Sequence, residues 1–136
     1  MKILVPLLTG KEKNSVFLNA ITDKVDEVIL LQIVDKDFLS RAGLAMGEVR
    51  QSRIVLEEIK KFIGQKKKKC NELTEWGSTI PKIVSLALLQ KVNKVILVKQ
   101  ENQFFEDILR ELKKNKLKVE TIDVSNSEEE ELSKKN

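Results

Sequence analysis

The sequence predicts an α/β domain built on a five-stranded, mostly parallel sheet. Three observations carry that expectation. Short aliphatic and β-branched runs, such as Lys94-Val95-Ile96-Leu97-Val98, have the unbroken apolar pattern of strands covered on both faces. Between them lie stretches whose apolar residues recur at helical spacing. The two kinds of segment alternate along the chain, as they do in strand–helix–strand units with right-handed crossovers and helices on both sheet faces. At 136 residues the chain is long enough for one good core.

The first strand is Lys2-Ile3-Leu4-Val5-Pro6-Leu7-Leu8, with Pro6 near its end because proline lacks a ladder donor. Thr9-Gly10 turns the chain, and Asn14 or Ser15 caps a helix whose Val16, Phe17, Ala20 and Ile21 should face the sheet. A second strand follows, with its core at residues 28–34. Residues 36–47 form a loop with Gly43 and Gly47, and Arg41 is its residue of interest. A long amphipathic helix then runs over 48–64, with Val49, Leu56, Ile59, Phe62 and Ile63 as its buried stripe and Val55 beside it. The third strand, 70–76, is mixed in polarity and suits an edge. Ser78 or Thr79 caps the next helix, Pro81 sits in its first turn, and Ile83, Val84, Ala87 and Leu88 should face inward. The fourth strand is 94–98. Asn102 caps a helix to about residue 114, with Phe104, Phe105, Ile108, Leu109 and Leu112 as its stripe. The fifth strand is 117–124. Residues 125–136, which include four consecutive glutamates, read as a disordered acidic and polar tail beyond a domain spanning 1–124.

Composition removes whole classes of chemistry. The absence of histidine excludes Ser-His-Asp and Cys-His nucleophilic machinery and most zinc sites. Cys70 is the single cysteine, so no internal disulfide forms, and a cytoplasmic setting is the expectation. No apolar run approaches a membrane span and no signal peptide is visible, so no membrane partner is expected. The four lysines 66–69 invite an anion-binding reading, but neither aromatic nor arginine lies beside them, and they also suit the negative end of a helix. Nucleic acid is therefore not an expected partner. The same lysines have the charge to lower the thiol pKa of Cys70.

In a doubly wound sheet, ligands bind beyond the carboxyl ends of the central strands, where strand order reverses. Lys99-Gln100-Glu101-Asn102-Gln103 should lie at that mouth. No glycine follows Gly77, although phosphate held by backbone amides requires close approach of bare backbone. Thr9-Gly10-Lys11 contains a Gly-Lys pair and nothing else of a Walker motif.

Lys2-Ile3-Leu4-Val5-Pro6, Ile29-Leu30-Leu31-Gln32-Ile33-Val34-Asp35, and Gly77 with Ile83 and Ala87, taken in order, resemble the universal stress protein family. The resemblance implies a Rossmann-like domain with strand order 3-2-1-4-5, pairing of subunits through the last strand, and in many members an ATP site. That site follows the fourth strand as Gly-x2-Gly-x9-Gly-(Ser/Thr), with an Asp at the end of the first strand. Here Lys99 stands where the first glycine falls, and Leu8 or Thr9 where the Asp falls. The resemblance therefore implies a non-catalytic, regulatory or stress-response module. It would be a homodimer through Val119, Glu120, Thr121, Ile122, Asp123 and Val124, act through protein contacts with unknown partners, and need no cofactor. The alternative is an ATP- or AMP-binding protein, or slow ATPase using ATP and Mg, with a pocket rebuilt from Leu8, Thr9, Val34, Arg41 and Lys99.

Overall fold

The computed structural model describes residues 1–35 and 46–125, with side chains described for 1–35 and 53–125. Five strands and four helices alternate over these residues: β1 Lys2–Pro6, α1 Ser15–Thr22, β2 Glu27–Val34, α2 Met46–Gln65, β3 Lys69–Trp76, α3 Thr79–Leu89, β4 Lys94–Val98, α4 Gln103–Lys114 and β5 Val119–Ile122. The strands form one sheet in the order β3-β2-β1-β4-β5. Every neighbouring pair is parallel, with Ile3 opposite Val28 and Lys94, Ile29 opposite Asn71, and Ile96 opposite Glu120.

The order dictates where the helices go. From β1 to β3 the chain steps one way along the sheet, so right-handed crossovers put α1 and α2 on one face. From β3 it returns to the other side of β1 and steps the opposite way, which puts α3 and α4 on the other face. The core divides accordingly. Ile3, Val5, Val28, Leu30 and Ile96 pack with Phe17, Leu18 and Ile21 of α1 and with Leu56, Ile59 and Ile63 of α2. Leu4, Ile29, Leu31, Val95 and Leu97 pack with Ile83 and Ala87 of α3 and with Phe105, Ile108 and Leu112 of α4. Alternate residues of one strand serve opposite faces, which is why the central strands read as continuous apolar runs.

Several boundaries and faces differ from the sequence reading. The first strand stops at Pro6, and the fifth is confined to Val119–Ile122. Val124 lies beyond it, buried in the core beside α1 and α2. Val16 and Leu88 are exposed, and Leu18 and Leu86 are buried in their place. Both helices carry apolar residues around much of their circumference, so adjacent positions compete for the inward face, and only packing decides between them. Residues 36–45 and 126–136, and with them the expected loop, Arg41 and most of the expected tail, lie outside the described residues, as does the side chain of Val49. Among the described residues no helix is long and apolar enough to cross a membrane.

Candidate functional site

The order in which strands are added reverses between β1 and β4, the position where a doubly wound fold opens a crevice at its carboxyl edge. A cavity of about 450 Å³ lies there. Pro6, Leu8, Thr9 and Glu12 come from the end of β1 and its following turn. Leu97, Val98, Gln100 and Asn102 come from the end of β4, and Phe104, Phe105 and Ile108 from α4. Most of the wall is apolar, with Thr9, Glu12, Gln100 and Asn102 as the polar groups, a composition common in small-molecule sites.

Glu12 is the unusual group in this wall. It is 1% exposed, although Lys11 on one side and Lys13 on the other face solvent. The turn from β1 supplies its hydrogen bonds. The Gly10 N–H donates to Oε1 at 3.0 Å, and the Thr9 hydroxyl donates to Oε2 at 2.6 Å. The Thr9 N–H is shared between the two oxygens at 3.1 and 3.3 Å. Gly10 adopts φ +78°, a left-handed conformation that aims its N–H at the carboxyl and that glycine enters without strain. Burial raises the Glu12 pKa, and the hydrogen bonds to Thr9 and Gly10 oppose that rise without cancelling it. In the sequence, Lys11-Glu12-Lys13 has the character of a polar loop. Thr9-Gly10-Lys11-Glu12 does fit the Ser/Thr-x-x-Glu pattern in which a carboxyl reaches back to a preceding backbone N–H, and that signal was available.

The far wall is closed by a short connection. The connection from β4 to α4 is residues 99–102, without glycine. The Lys99 N–H is committed to the Ile122 carbonyl at 2.8 Å, and the Asn102 side chain caps α4 by accepting from the Phe105 N–H at 2.8 Å. Of the expected ligand residues, the structure brings Leu8 and Thr9 together in the cavity wall. Lys99 is exposed and Val34 lies at the end of β2, and neither lines the cavity. The Val34 carbonyl already accepts the Gly77 N–H at 3.1 Å.

Two further groups depart from expectation. Ser78 occupies the cap position of α3 but makes no side-chain cap bond. Asp35, from just beyond β2, does that work: its Oδ2 accepts the Thr79 N–H at 3.0 Å and the Thr79 hydroxyl at 3.1 Å. A carboxylate is favoured at the positive end of a helix. The Cys70 thiol pKa is raised, not lowered. Burial is the main cause, and Lys60 opposes it while Glu72 adds to it. No cluster of three or more His, Cys, Asp or Glu side chains able to hold a metal occurs among the described residues.

No family model matches the chain, and none of the curated proteins matches it. Solved structures do. The hypothetical protein MJ0577 is 20% identical, with a TM-score of 0.70 over 90% of this chain and 94% of its own. Universal stress protein UspA from Lactobacillus plantarum is 14% identical, with a TM-score of 0.67 over 90% and 97%. A universal stress protein family protein from Arabidopsis thaliana, solved with AMP bound, is 12% identical, with a TM-score of 0.61 over 90% and 91%. Strand order, crossover sense and the position of the crevice are those of an α/β Rossmann-like domain, and the chain has the fold of the universal stress proteins.

Proposed function

We propose that the chain is a non-enzymatic regulatory module of the universal stress protein type whose crevice has lost the family's phosphate grip. Its output then runs through protein contacts. The observation that carries this reading is the glycine-free connection at 99–102. Its first amide is used by the sheet, and its Asn102 side chain is used by the helix cap. Glu12 in the opposite wall adds to it, since a carboxyl there brings no positive charge to hold phosphate. Two copies pair through the outer edge of β5, Val119, Glu120, Thr121 and Ile122, where the main chain of Val119 and Thr121 faces away from β4 and is open to a second strand. Asp123 extends that edge, and Val124, being buried, anchors it from inside. Light scattering at micromolar concentration should give the dimer mass, and Thr121→Pro should give the monomer. A monomeric wild-type protein would remove the pairing, and nucleotide released on denaturing the purified protein would remove the loss of the grip.

A second reading is favoured by the cavity itself. About 450 Å³ of mostly apolar crevice at the switch point, in the fold of a neighbour that holds AMP, suits a nucleoside-sized group beside Leu8 and Thr9. A Thr9→Trp substitution, which fills the mouth, should then abolish adenosine binding.

A further inference from the structure

We propose that the end of the sheet opposite the cavity is a docking face for an anionic lipid surface. Because the strands are parallel, every turn from a helix into the next strand returns to this one edge. The turns are 23–26, 66–68, 90–93 and 115–118. Main-chain hydrogen bonds stitch them side by side. Asp26 N–H donates to the Met1 carbonyl, Lys69 N–H to that of Asp26, Asn93 N–H to that of Lys2, and Val95 N–H to that of Lys118.

Each turn places a lysine in the left-handed backbone region: Lys24 at φ 58°, Lys67 at 60°, Lys91 at 53° and Lys116 at 60°. These are the non-glycine residues with positive φ among the described residues. Glycine or asparagine is the usual occupant of that position after a helix. A lysine gains some attraction to the helix C-terminus, but the left-handed backbone costs a side-chain-bearing residue at least as much. The same costly choice at all four turns distinguishes this edge from an ordinary solvated surface.

The turns also carry net positive charge. The four turns contain seven lysines and two acids, Asp23 and Asp26. Asp26 is engaged by the N-terminal amino group, and nearby Glu27 and Glu120 are engaged by Lys69 and Lys94. Lys24, Lys67, Lys91 and Lys116 form no ion pair among the described residues.

Apolar side chains at the same end decide between lipid and nucleic acid. Leu88 and Leu89, in the last turn of α3, are 49% and 72% exposed, and Met1 is 45% exposed. Protruding aliphatic residues beside lysines suit the boundary between headgroups and acyl chains. They have no partner on a phosphodiester backbone, and the turns carry neither arginine nor aromatic residue to stack on bases. The contact is with a surface, and it leaves the cavity at the far edge open.

Sedimentation with vesicles tests this. One set is phosphatidylcholine alone, and the other contains about a third phosphatidylglycerol, both at low and at physiological salt. The wild-type chain should pellet with the anionic vesicles and not with the neutral ones. Lys24→Gly, Lys67→Gly, Lys91→Gly and Lys116→Gly together remove four charges while relieving left-handed strain, so this variant should melt no lower than wild type. It should bind anionic vesicles roughly thirtyfold or more weakly. Leu88→Ser with Leu89→Ser should weaken binding severalfold and leave the salt dependence intact. Failure of the wild type to bind anionic vesicles at low salt would overturn the proposal, as would equal binding by the four-glycine variant. Tighter binding to duplex DNA than to vesicles, unchanged by the leucine substitutions, would overturn it in favour of nucleic acid.

Discussion

Glu12 gives the sharpest prediction, because its carboxyl is the most buried charged group described and its donors are all local. Replacing it with alanine strands the Gly10 N–H, the Thr9 N–H and the Thr9 hydroxyl. Gly10 is exposed and water can reach its amide, so not all three incur a full penalty. At about 1 kcal/mol net per bond, the loss is about 2–3 kcal/mol, or a fall of roughly 5–15 °C in Tm for a domain of this size. Glu12→Gln keeps the volume and one acceptor oxygen, and should cost about 1 kcal/mol. The two forms also separate by pH. At a pH well below the ordinary value of 4.5, the carboxyl is protonated in both the folded and the unfolded chain. Above it, the unfolded chain ionises while burial keeps the proton on the folded one. The unfolded state then binds fewer protons, so the contribution of Glu12 to stability falls as pH rises, and levels off once pH passes the raised folded pKa. Glutamine does not titrate. Urea unfolding of wild type and Glu12→Gln at a series of pH values from about 4 to 8 cancels the other titrating groups in the difference. The wild-type advantage should shrink with rising pH. An advantage that grows would refute the reasoning, because it would mean that the turn donors hold the carboxyl ionised against burial.

Two other groups have defined outcomes. Asp35→Ala removes the carboxylate from the start of α3 and should destabilise by about 0.5–2 kcal/mol, with Asp35→Asn recovering part of the loss; no change in a denaturant midpoint would count against the cap. Cys70 should react with a thiol reagent more slowly than a free cysteine at pH 8, and Lys60→Ala should slow it further, since the Lys60 charge is the one that lowers the thiol pKa. Reaction faster than a free cysteine would contradict the burial argument.

The fold was legible because parallel strands buried on both faces leave a signal that needs no tertiary knowledge. The runs at 28–34 and 94–98 have no polar face to alternate with. Helix faces were less legible. In α3 the residues Ile83, Val84, Leu86, Ala87, Leu88 and Leu89 crowd the helix with apolar side chains, and the sheet chooses among them. The site divided in the same way. Leu8 and Thr9 line the cavity because strand order alone places the end of β1 at the crevice. Lys99 was expected there because it follows β4, but its side chain turns to solvent where α4 and its phenylalanines fill the wall. Glu12 was missed because, in sequence, it sits between two lysines, and its burial depends on a turn that folds it back under β1.

The proposed loss of the phosphate grip is tested most directly by calorimetric titration of one protein sample with adenosine, AMP and Mg-ATP. A crevice without a cradle, and with Glu12 in its wall, should bind neither nucleotide more tightly than adenosine, and AMP and Mg-ATP should give no measurable heat at micromolar concentration. Affinity that rises at least tenfold from adenosine to Mg-ATP would contradict this, because each added phosphate would then be finding donors at residues 99–102.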